Sequence, residues 1–137
     1  MKRLPACLLL TALLGACSSA SLHDASADAR AADVAAAQAL VATAPPPGEP
    51  LAPWLEAQRT RIATAQAQAT QRFADAEKAC WRRFAVNVCV REARAERRTA
   101  IDRLRQEELA VNGLERQRAA DVRLRELELK QSPAASP

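Results

Sequence analysis

Between Leu51 and Lys130 the larger apolar residues recur at intervals that place side chains on one face of a helix. Leu55 and Ile62 are seven apart, Ala69 and Ala76 continue their line, and Phe73 lies beside it. Further on, Val90, Arg97, Leu104 and Val111 fall at sevens, with Ala93, Ala100 and Ile101 alongside. Leu114, Val122, Leu124, Leu127 and Leu129 extend the apolar content less regularly. No useful length of strict alternation marks a strand. The pattern predicts two helices. The first opens at Leu51-Ala52-Pro53-Trp54, where a first-turn proline lacks only an N–H that would have no helical partner. It runs to about Arg82. The second opens after Asn87, a residue type suited to capping, and continues to Lys130, roughly 43 residues. Both apolar lines are thin and rich in alanine, which suits close helix–helix contact rather than a bulky core.

One feature interrupts the second helix. Asn112-Gly113 is a turn signal. A break there would fold Leu114–Lys130 back as a third helix. Strong helix formers flank the pair on both sides, and they favour a continuous or kinked helix. Ion pairs at helical spacing, Arg103–Glu107, Asp121–Arg125 and Glu126–Lys130, add a few tenths of a kcal/mol each, roughly.

The two predicted helices meet at Cys80-Trp81-Arg82-Arg83-Phe84-Ala85-Val86-Asn87-Val88-Cys89. On one straight helix these two thiols would lie about 13 Å apart along the axis and point to opposite sides. A disulfide needs Cα atoms about 5.5 Å apart. Pairing therefore requires the chain to reverse between them. The predicted fold class is all-α: an antiparallel helical hairpin stapled by Cys80–Cys89, with Trp81 and Phe84 covering the staple. The second helix is the longer, so its end overhangs. That overhang carries Leu124, Leu127 and Leu129, and a partner or a second copy is expected to cover it.

The amino terminus carries a different pattern. Met1-Lys2-Arg3 is basic, and Leu4 to Leu14 is apolar but too short to span a bilayer, which needs about 20 residues. The segment ends Leu14-Gly15-Ala16-Cys17-Ser18. Here the chain resembles the bacterial lipoprotein signal, whose lipobox is an aliphatic residue, two small residues and cysteine. The resemblance covers about the first 20 residues. It implies cleavage before Cys17 and lipid on that residue. Ser18, rather than aspartate, implies sorting to the outer membrane. An ordinary signal cleaved near Ser18-Ser19-Ala20 is the alternative, and it leaves no lipid. Two or more acyl chains hold a protein on a membrane far more firmly than one. Cys7 falls inside the signal and is lost with it.

The expected organisation is thus a signal over 1–16, a lipidated flexible tether over 17–50, the hairpin over 51–131 and a disordered tail over 132–137. The tether is rich in alanine from Ala25 to Ala44 and is stiffened by Pro45-Pro46-Pro47-Gly48-Glu49-Pro50. It offers few large apolar residues to dock. His23, the only histidine, falls within it. Exported proteins meet oxidising conditions, which favours the Cys80–Cys89 bond. The run Cys-x-x-x-Phe-Ala-Val-Asn-x-Cys, followed by an arginine-rich helix, resembles small envelope proteins of Gram-negative bacteria. That resemblance implies no activity.

Charge changes the picture only locally. The chain carries 20 basic and 16 acidic residues; without Lys2 and Arg3 the balance is 18 to 16, or +2. So small a bias is only weak evidence for nucleic acid, and export conflicts with it. Around the predicted tip, however, eight basic residues face four acids between Arg72 and Arg98. Arg82, Arg83, Arg91, Arg94, Arg97 and Arg98 are the candidate anion-binding residues, for lipid headgroups, cell-wall polymer or an acidic partner. Leu51 to Gln131 contains no serine, histidine or tyrosine, so no Ser/His or Cys/His nucleophile pair is available. Two cysteines without histidine cannot complete a tetrahedral metal site, and no glycine-rich phosphate loop occurs. Neither cofactor nor catalysis is expected. The expected partners are the membrane, through the lipid anchor, and another protein or a second copy, through the helices.

Overall fold

The computed structural model describes residues 19–131, with side chains from residue 26. The expected signal over 1–16, the candidate lipidation residue Cys17 and the tail over 132–137 lie outside the described residues. Among the described residues, the only regular secondary structure is helix: α1 (Ser19–Val41), α2 (Ala52–Cys80) and α3 (Val86–Gln131). The chain divides into two compact units at Ala32 and Asp33.

In the second unit α2 packs against α3. Leu55, Ile62, Leu104 and Val111 form the apolar cluster at that contact, and Leu40, Leu51, Trp54 and Ala65 pack around it. Toward the other end of α2 the buried residues are small, Ala69, Cys80, Val90 and Ala93. Burial therefore follows the seven-residue lines of the sequence and grows thinner toward the cysteines. Cross-helix ion pairs join Arg59 to Glu115 at 2.6 Å, Arg61 to Glu107 at 2.7 Å and Glu77 to Arg94 at 3.9 Å. Arg103–Glu107, within α3, stands at 4.0 Å. The expected Asp121–Arg125 pair is replaced by a bond from Arg125 Nε to the Asp121 backbone carbonyl, 3.2 Å.

As the flanking helix formers favour, α3 runs without interruption through Asn112-Gly113, and the alternative third helix from Leu114 does not form. Two expectations are corrected. First, α3 begins at Val86 and not after Asn87: the Cys89 N–H donates to the Ala85 carbonyl at 3.2 Å, so the first turn already encloses Asn87. Second, residues 17–50 are not a flexible tether throughout. Ser19–Val41 is helical. Its last turns belong to the second unit, where Ala37 is buried and Leu40 packs on the core cluster. The proline segment is held as well: Trp54 Nε1 donates to Thr43 Oγ1 (3.4 Å), and an Arg118 amine donates to the Pro45 carbonyl (3.0 Å). Gly48 takes φ 106° in this turn, a conformation that favours glycine.

Candidate functional site

The link between α2 and α3 is short because successive backbone bonds tighten it. Arg82 N–H donates to the Ala79 carbonyl at 3.2 Å, and Arg83 N–H to the Cys80 carbonyl at 2.9 Å. These bonds bring Cys80 and Cys89 to a Cα separation of 5.6 Å, and the two sulfurs are bonded. Cys80 is fully buried and Cys89 half-buried. The expected cover of the staple does not form. Trp81 is 70% exposed and Phe84 wholly so. Their rings stand out from the turn beside exposed Arg82 and Arg83, with Val88 partly exposed next in line. The turn is thus an exposed amphipathic surface: two aromatic rings, two guanidinium groups and a bonded disulfide behind them.

The six candidate arginines do not converge on one site. Arg94, Arg97 and Arg98 line one open groove between α2 and α3, together with Phe73, Glu77, Ile101 and Asp102. Arg82 and Arg83 sit on the turn, and Arg91 is exposed on the first turns of α3. Arg97 lies over the Phe73 ring, 5.4 Å from its centroid. Arg94 faces Glu77. Three cations against two carboxylates leave the groove a formal charge of only +1. An anion placed in such a groove would be held mainly through directed guanidinium bonds, since its net field is weak.

Among the described residues no three His, Cys, Asp or Glu side chains gather in a way that would hold a metal ion. No described helix is long and apolar enough to cross a membrane.

A second feature lies at the far end of α3, which sequence reading had singled out by its leucines. From Ala119 to Gln131 every side chain is exposed. Val122 is 48% exposed, Leu124 58%, Leu127 50% and Leu129 76%. Sequence reasoning missed the role of Val34 and Val41, which line a groove on α3 with Leu109 and Gly113. The signal was present as a valine pair seven apart within an alanine-rich run.

No protein-family model, no curated protein and no solved structure matches this chain.

Proposed function

We propose that this protein is a lipid-anchored lipoprotein of the bacterial envelope, acting structurally or by binding protein through an antiparallel helical hairpin. Cys17 carries the lipid, and the body stands on the periplasmic face of the outer membrane. The observation that carries the interaction role is the exposure of Leu124 and Leu127, three residues apart on one face of α3. An exposed face with two large apolar side chains is a surface that another molecule would cover at a gain. The hairpin is supported by the order of the cross-helix partners: Arg59 with Glu115, Arg61 with Glu107, Glu77 with Arg94 and Cys80 with Cys89. Positions advance along α2 as they retreat along α3. The basic start, apolar run and small-small-Cys of residues 1–17 support export and anchoring. Crosslinking in cells at native abundance tests the role. Capture of a protein or of a second copy on α3 agrees with it; recovery of monomer alone rejects it.

A second reading has its own observation. Arg94, Arg97 and Arg98 share one groove, and guanidinium groups bind phosphate and carboxylate with directed, paired bonds. On that reading the arginine end binds lipopolysaccharide or cell-wall anions. Substituting Arg82, Arg83, Arg94 and Arg98 by glutamine then removes salt-sensitive binding to those polymers; unchanged binding rejects it.

A further inference from the structure

The exposed end of α3 carries a seam whose flanks differ in sign. Gln117, Ala120, Leu124, Leu127 and Gln131 are spaced three, four, three and four apart, so they form one face of the helix. Leu124 and Leu127 are its two large apolar members, and both are at least half exposed. Upstream the same line continues through Ala110 and Gly113, which share a groove with Val34, Gln38 and Val41 of α1. The seam therefore runs beside Val34, Gln38 and Val41 at its start, and its side chains are exposed from Ala120 onward. Val122 and Leu129 lie on another side, in line with Val111, and are not part of it.

One flank of the seam, the residues just before Gln117, Leu124 and Gln131, is Arg116, Arg123 and Lys130. The other flank, just after Ala120 and Leu127, is Asp121 and Glu128. These are the positions whose charges set partner and orientation when two helices pair along such a seam. In a parallel pair, each residue of the first flank faces the residue of the second flank five positions further along its partner. Arg116 then faces Asp121 of the partner subunit, and Arg123 faces Glu128 of the partner subunit. Two-fold symmetry repeats both attractions. In an antiparallel pair each flank meets its own kind: base opposes base, and acid opposes acid.

We infer that residues 117–131 of α3 pair in parallel with the same residues of a second copy of this chain. Leu124 and Leu127 form the core of the contact, and the Arg116–Asp121 and Arg123–Glu128 pairs fix its direction. The inference rests on the interaction role proposed above and names the partner. The contact is short, so the association is weak and reversible in dilute solution. Confinement of two copies to one surface raises their effective concentration and favours it.

Sedimentation of the full chain over a range of concentrations, in detergent where lipid is attached, tests this. The expected result is a concentration-dependent dimer that Leu124→Ala with Leu127→Ala abolishes. Arg123→Glu and Glu128→Arg each weaken it by about tenfold, because a variant of either kind opposes like charges twice. The two substitutions in one chain restore it. A mixture of the two single variants forms a mixed dimer more readily than either forms its own. Circular dichroism confirms that each variant keeps its helix. A wild-type chain that stays monomeric at all concentrations overturns the inference, and so does Glu128→Arg strengthening association, the mark of an antiparallel pair. A monomer in this assay that is crosslinked in cells to a different protein removes the second-copy pairing while the interaction role stands. A dimer here without any crosslink in cells supports the pairing and removes that role.

Discussion

The guanidinium of Arg97 rests over the ring of Phe73, 5.4 Å from its centroid, at the one charged position of the seven-residue line between Val90 and Val111. Val90, Leu104 and Val111 on that line are buried, whereas Arg97 is exposed. A long side chain resolves the conflict: its methylenes cover apolar surface, and its charge meets the ring face at the rim. Phe73→Ala removes both the ring's packing and its cation contact, and half-burial limits the cost to about 1–2 kcal/mol. Phe73→Leu keeps most of the packing and loses about half of that, roughly 0.5–1 kcal/mol. Urea unfolding followed by circular dichroism measures both. Equal losses for the two would show that the ring contributes only bulk.

Reducing the Cys80–Cys89 bond frees a ten-residue loop in the unfolded chain. The chain-entropy estimate puts the loss of stability at about 2.5 kcal/mol. The unfolding midpoint is expected to fall on adding a thiol reductant and to be unaffected by reductant in a Cys80→Ser, Cys89→Ser variant. A wild-type midpoint indifferent to reductant contradicts a bonded pair.

Stability is expected to concentrate in four residues. Leu104 is 3% exposed and sits in the central cluster with Leu55, Ile62 and Val111. Leu104→Ala should cost about 2–4 kcal/mol. Leu109, five residues on and 53% exposed, should cost well under about 1 kcal/mol when changed to alanine. Comparable costs at the two positions would place the core elsewhere on α3.

Gly113 lies inside α3, and nothing stands within 4 Å of where a Cβ would be. Gly113→Ala should therefore stabilise the protein by roughly 0.5–1 kcal/mol, through a less flexible unfolded chain and better helix propensity. A loss of stability on thermal or urea unfolding would mean that the chain bends at this glycine.

Lipid attachment makes its own prediction. On the proposed reading, in which an anchor on Cys17 would supply the membrane affinity, a Cys17→Ser form should lose acyl mass by mass spectrometry and move from the membrane fraction to the soluble one. Retention on the membrane without acyl mass would remove the anchoring reading.

The helices were legible because their apolar residues obey one period. Leu55, Ile62, Ala69, Leu104 and Val111 are buried where seven-residue spacing puts them. The disulfide was legible as well, since two cysteines nine apart can pair only where the chain reverses between them. Helix ends were less so. Asn87 is a good capping residue by type, yet the Ala85 carbonyl starts α3 without it. The cysteine bond and the tight bonds to Ala79 and Cys80 set the turn's length, and a local preference yields to them. Residues 33–50 were misjudged for a different reason. Leu40, Val34 and Val41 are too few to give an amphipathic signal of their own, and only the surface presented by α2 and α3 gives Leu40 somewhere to pack. At the tip the error was one of direction. Trp81 and Phe84 suggest burial by composition, but the turn's backbone bonds aim both rings outward.

The peptide between Cys80 and Cys89 offers a trypsin-like protease two cleavable bonds in the open, after Arg82 and after Arg83. Hydrolysis at either leaves the fragments riveted through sulfur. A clipped molecule would migrate as intact material until a thiol was added, and the severed strands would stay in register meanwhile.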